Sequence, residues 1–229
     1  MKKIWIVGCV VLFLTGCNNQ KTTSMIKDEN TYYSYVDKIS SDSIQKLDVS
    51  AELVNEYTPQ YMKSISDAIV IGRVDSIDSA DMKYNQVVGY TYGTMTIQNV
   101  LYGNMQVGDN IEYAKPGGII QYTTWSKAQP VEDQEKRAYL LSKHEESIPE
   151  YVDILLENDI HIEAGKSYLM YVKYSEDLKK YEIVGLGNGL REIVGTTKSS
   201  MRNIDGLKIK DNNTQTNESL SAYIDAYIK

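Results

Sequence analysis

Residues 4–14, IWIVGCVVLFL, form an almost unbroken apolar run, and from Asn18 the chain turns wet: NNQKTTSMIKDENT reaches residue 31 with almost no apolar periodicity. A basic start, Met1-Lys2-Lys3, precedes the run, and a small residue, Gly16, precedes Cys17. Basic, apolar, small and then a boundary is the order of a secretory leader. The apolar run is about half of the roughly 20 residues that a helix needs to cross the hydrocarbon core. The pattern therefore predicts a removed leader over residues 1–16 and a flexible tether over 17–31.

Beyond the tether the periods change. Tyr32, Val36, Ile39, Ile44 and Leu47 make a weak helical stripe. In YTPQYMKSISD, Thr58 caps, Pro59 takes the first helical position, and Tyr61, Met62 and Ile65 share a face. Residues 32–66 thus read as a helical lead-in. A core strand follows over Ala68–Ile77, with Gly72 in its middle implying a bend or bulge. YTYGTMTIQNVLYG and NIEYAKPGGIIQY alternate as strands; Gly103-Asn104 ends the first, and Pro116-Gly117-Gly118 interrupts the second.

VEDQEKRAYLLSKH carries its acids early and its bases late, as a helix dipole prefers, and IPEYVDILLEN is ambiguous in type. KSYLMYVKY and KYEIVGL pair across SEDLK as a hairpin, and LREIVG adds a strand. Residues 203–218 read as polar loop. Leu220, Tyr223, Ile224, Tyr227 and Ile228 then make one face of a closing helix. The fold class expected is mainly β with added helices (α+β). Residues 67–229 would form an OB-like five- or six-stranded Greek-key barrel with a helical insertion and a C-terminal helix.

Two resemblances refine this. LTGC, residues 14–17, resembles the lipobox of bacterial lipoproteins. The resemblance implies cleavage between Gly16 and Cys17, a diacylglyceryl group on the Cys17 thiol, and an address on the extracytoplasmic face of the cell membrane. Two acyl chains, at about 0.8 kcal/mol per buried CH₂, give on the order of 20 kcal/mol gross, enough for stable anchoring. SDAIVIGRV, VLYGN with the later VGD and PGG, and EAGKSYLMYV with YEIVGLGNGL resemble a group of uncharacterised secreted bacterial proteins. That group has a netrin-like or TIMP-like variant of the OB barrel, and the likeness covers roughly residues 60–195. It implies a fold and carries no catalytic residue. The zinc-chelating N-terminal cysteine of metalloproteinase inhibitors with that fold has no counterpart here, because Cys17 is the residue to be lipidated.

Composition narrows the function. Cys9 leaves with the leader and Cys17 carries lipid, so the mature chain has neither disulfide nor thiolate metal site. Without the two leader lysines, 22 basic residues face 31 acidic ones, a net charge of about −9 that argues against nucleic acid as a partner. All 19 tyrosines lie beyond the leader, and the only phenylalanine, Phe13, lies within it. Tyrosine suits an exposed recognition surface, and it equally suits half-buried strand positions at a barrel rim.

Catalytic chemistry finds little footing. Each of the two histidines, in His144-Glu145-Glu146 and His161-Ile162-Glu163, has acids beside it, but HExxH is absent and His161 reads as an exposed strand side chain. No metal and no cofactor is assigned. GLGNGL departs from a dinucleotide loop at Leu190 and lacks a βαβ setting; Asp75, Asp78 and Asp81 lack the EF-hand pattern. The leading reading is a non-catalytic recognition module for an envelope protein or glycan. Its binding face would run along strands two and three, with Tyr90, Tyr92, Tyr102, Tyr113, Tyr122 and Trp125 as its residues. The alternatives are an accessory envelope protein acting by packing, and a hydrolase using carboxylates such as Glu132, Asp133, Glu145 or Glu150.

Overall fold

The computed structural model describes residues 32–49, 56–83, 86, 88–143, 148–156, 159–195 and 204–229. The leader, Gly16, Cys17 and the tether lie outside the described residues. No helix among the described residues is long and apolar enough to cross a membrane.

The protein is mainly β, with helices added at its edges. The chain enters through a two-residue strand, β1 (Tyr33–Ser34), two 3₁₀ turns (Tyr35–Lys38 and Ser41–Ser43) and β2 (Ile44–Val49). The stripe that predicts a helix here is overridden: β1 pairs in parallel with the next long strand, and β2 pairs in parallel with a later one. The described residues of 32–66 are therefore not a helical lead-in but strands and turns that join two sheets, and one helix. That helix, α1 (Pro59–Ile65), forms as its sequence predicts, with the Thr58 hydroxyl accepting from the Tyr61 N–H at 3.2 Å.

The strands β3 (Ala68–Asp81), β4 (Tyr90–Gly103) and β5 (Asn110–Pro116) then run as an antiparallel meander. After Gly117 the chain makes β6 (Gly118–Gln121), α2 (Tyr122–Ala128), α3 (Val131–Lys143) and β7 (Tyr151–Leu156). The hairpin β8 (Ser167–Ser175) and β9 (Lys180–Ile183) follows, then one helical turn, α4 (Leu186–Gly189), and β10 (Leu190–Val194). The segment expected as polar loop contributes two short strands, β11 (Lys208–Lys210) and β12 (Asn217–Ser219), before α5 (Leu220–Tyr227).

Among the described residues nine strands form one sheet, and its pairings return on themselves. β3 pairs with β4, β4 with β5, β5 in parallel with β9, β9 with β8, and β8 back with β3. The length of β3 lets one strand serve two neighbours on one edge, its first half pairing with β8 and Ser76 and Ile77 with β1. The register of β3 against β4 shifts four times, one of them between Ile71 and Gly72, and such bulges coil a strand strongly enough to close a ring. A Cβ on Gly72 would lie 2.9 Å from the Met95 sulfur, so the missing side chain also makes room for methionine inside. β2, β7 and β6 form a separate three-stranded sheet.

Alternation sorts the core into layers. Inside the ring lie Val70, Val74, Met95, Tyr113, Tyr168 and Met170, all at most 1% exposed. The opposite faces of β3 and β8 present Ile69, Ile71, Leu169 and Tyr171, which α5 covers with Leu220, Tyr223 and Ile224. Two-sided burial explains why YLMYV, residues 168–172, runs without a polar break. A third cluster joins Trp125 and Ala128 of α2 to Ile120, Val152 and Ile154 of the small sheet.

Candidate functional site

The interior of the ring is filled at its middle and hollow at one end. On β5 the inward positions are Ile111, Tyr113 and Lys115; the first two pack in the apolar interior, and the third is the last residue but one of the strand, before Pro116. Lys115 is 2% exposed. Its ammonium donates to Asp159 Oδ2 at 2.7 Å and to the Pro116 carbonyl at 2.7 Å. Asp159 is held in turn by the Ile160 N–H, which donates to Oδ1 at 2.8 Å.

From Asp159 the chain passes along the hollow, with Ile160, Ile162 and Ala164 packed against the interior core. From the other side comes the turn after β1, where the Tyr35 hydroxyl donates to the Ile119 carbonyl of β6. Between them lies a cavity of about 330 Å³ lined by Tyr35, Ile77, Lys115, Ile119, His161 and Ile162, among others. It sits at the lower end of the size range of small-molecule sites, with the mixed lining such sites have.

Two acid–base pairs border this space. One is the Lys115–Asp159 pair, and the other joins His161 to Asp153 of β7. His161 Nε2 lies 3.1 Å from Oδ2 and 3.0 Å from Oδ1. One N–H serves one oxygen well, and the buried Oδ1 has no hydrogen bond of its own. Burial pulls the Lys115 ammonium below the ordinary lysine value, and the attraction of Asp159, with a smaller one from Asp153, offsets part of that. Burial, with Tyr151 and Asp153 nearby, pushes the Tyr35 phenol well above its usual range. Tyr35 is therefore a neutral hydroxyl at any physiological pH.

The six aromatic residues expected to share a binding face are dispersed. Tyr90 and Tyr92 stand together on the outer face of β4, ring centroids 6.3 Å apart, with the Tyr90 hydroxyl donating to Glu182 at 3.1 Å. Burial and Glu182 push the Tyr90 phenol up. Tyr102 lies at the far end of β4, 41% exposed, with the Lys63 ammonium 5.2 Å from its ring centre.

Tyr113 is not on a surface at all. Alternation from Ile111 turns it inward, where it is fully buried and donates to the Ser76 carbonyl at 3.1 Å. Trp125 is also corrected to a core position, 5% exposed, because Tyr122 begins a helix instead of continuing β6. Tyr122 packs against it at 5.5 Å.

Of the carboxylates considered for hydrolysis, Glu132, Asp133 and Glu150 are exposed and none lines the cavity, while Glu145 lies outside the described residues. Asp75 is engaged by Arg73 at 2.8 Å and Asn110 at 3.0 Å, so it belongs to a strand-surface network. His161 lines the cavity, a role that the alternation of DIHIEAG does not indicate. The signal that could have found the site is Lys115 itself: a lysine at the inward register of a β-strand must have a buried partner.

Compared with known proteins, the chain matches no protein-family model and no curated protein sequence.

Proposed function

We propose that this chain is a lipoprotein anchored through Cys17 on the extracytoplasmic face of the cell membrane, and that its folded part is a non-catalytic binding module. The domain is read as an OB-type, five-stranded Greek-key barrel with additions. The pairing order β3-β4-β5-β9-β8, closed by β8 against β3 and with only β5 and β9 parallel, supports that reading. A lipid anchor and polar tether suit a domain that meets its ligand close to the membrane.

The observation that carries the binding role is the cavity of about 330 Å³, whose lining joins aliphatic side chains to Lys115 and Tyr35. A fragment library screened by ligand-observed NMR tests it on the full chain. Ala164→Leu adds bulk at the cavity wall and is expected to abolish the hits with little loss of stability; hits that survive in the variant place binding elsewhere. Fatty-acid analogue labelling of cells tests the anchor: wild type takes up label and Cys17→Ser does not.

A second reading, an accessory envelope protein acting by packing, is favoured by α3, where Val131 and Tyr139 are 58% and 60% exposed. Crosslinking on intact cells from a site on α3 is its test, with a reproducible envelope partner as the expected result.

A further inference from the structure

The hollow end of the ring has a definite polarity, which selects among ligand heads. Lys115, 2% exposed, is the least exposed polar residue of the cavity lining, and among the described residues its ammonium has two acceptors, Asp159 Oδ2 and the Pro116 carbonyl. An ammonium carries three N–H donors, so one donor remains for a guest. The Tyr35 and Thr91 hydroxyls donate to the Ile119 and Gly117 carbonyls, respectively. With their protons committed, these two oxygens can only accept, so the donor that remains is the third N–H of Lys115.

Charge works in the other direction. The positive charge of Lys115 is already matched at 2.7 Å by Asp159, and Asp153 acts on it as well. Two further carboxylates line the cavity wall at exposed positions, Asp37 and Glu163, the latter paired with Lys166 at 2.8 Å. An entering anion would lose its hydration, pass these carboxylates and find no unmatched cation. An entering ammonium group would meet the ammonium of Lys115 at the floor. A neutral carbonyl meets neither obstacle and accepts the remaining N–H. Ile77, Ile119 and Ile162 supply an aliphatic lining for the body behind that carbonyl.

We infer that the cavity takes an uncharged amphiphile, a short apolar body carrying a carbonyl acceptor such as a primary or secondary amide, with the acceptor on Lys115 Nζ. This inference rests on the cavity being the binding site.

The test uses the full chain in lipid nanodiscs with ¹³C-labelled isoleucine methyl groups. Three probes share one tail length and differ in the head: hexanamide, hexanoate and hexylamine. Hexanamide is expected to shift the methyl signals of Ile77, Ile119 and Ile162 saturably, with hexanoate and hexylamine at least about tenfold weaker. Lys115→Met should erase the amide preference while leaving tail binding. Because that variant strands Asp159, the double variant Lys115→Met/Asp159→Leu is measured beside it, with the same loss of preference expected.

Equal or stronger binding of hexanoate or hexylamine overturns the inference, and so does a preference unchanged in the double variant. If none of the three probes moves the three methyls while fragment hits still depend on Ala164, the ligand class is wrong and the cavity reading stands. If fragment hits ignore Ala164→Leu, both fail.

Discussion

One strand of this protein holds two lysine–carboxylate or carboxylate–lysine pairs of equal length and unequal meaning. Glu112 of β5 binds Lys180 of β9 at 2.7 Å on the outer surface, with side chains 62% and 26% exposed. Three residues later, Lys115 binds Asp159, also at 2.7 Å, with side chains 3% and 1% exposed. Distance alone would rank them together. Burial separates them, because water screens the first pair and has been removed from the second. A buried pair of this kind commonly adds no stability over an apolar filling; this one sets a lysine at the lining of a cavity.

The sharpest way to break this contrast is to remove one partner of each pair. Asp159→Ala leaves a buried ammonium unmatched and is expected to destabilise by about 3–5 kcal/mol in urea unfolding. A neutral buried contact calibrates the middle of the range: the Tyr171 and Tyr223 hydroxyls meet at 3.0 Å between β8 and α5, and Tyr171→Phe should cost about 1 kcal/mol. Glu112→Gln should cost less than about 1 kcal/mol, and that difference should shrink as salt is raised.

The smallest effect expected is confined to acid. Burial alone would raise the Asp211 carboxyl, but it accepts from the Thr214 and Asn213 N–H groups and faces Arg191, and its net shift is below the ordinary aspartate range. A depressed carboxylate contributes stability above that range and loses it as pH falls through its folded value. Unfolding measured from neutral to strongly acidic pH should therefore show a shallower acid loss in Asp211→Asn than in wild type.

What the sequence made legible follows the same division. The β3–β4–β5 meander, the β8–β9 hairpin, α1 and α5 are readable because their alternation or 3.6-residue stripes reflect one buried face each. β7 is ambiguous because Val152, Asp153 and Ile154 are all buried, which erases its period. β11 and β12, three residues each, are too short for any period and exist through pairing with β10 and each other. The lead-in misreads as helix because its pairing partners lie far along the chain, in β3 and β7.

The site was less legible than the fold. Tyr90 and Tyr92 do stand together, but counting tyrosines along β4 and β5 ignores the alternation that sends Tyr113 inside. Lys115 lies 44 residues before Asp159, and nothing local marks that it converges with Asp159 and His161. Tyr35 reaches the cavity only because β1 docks on the second half of β3.

The most direct measurement is the stability of the double variant Lys115→Met/Asp159→Leu, by urea unfolding against wild type. If the buried pair serves the cavity and not the fold, replacing both charges by apolar side chains should leave stability unchanged within about 1 kcal/mol, or raise it. A loss of about 3 kcal/mol or more would show that the pair holds the ring together, and would contradict the account.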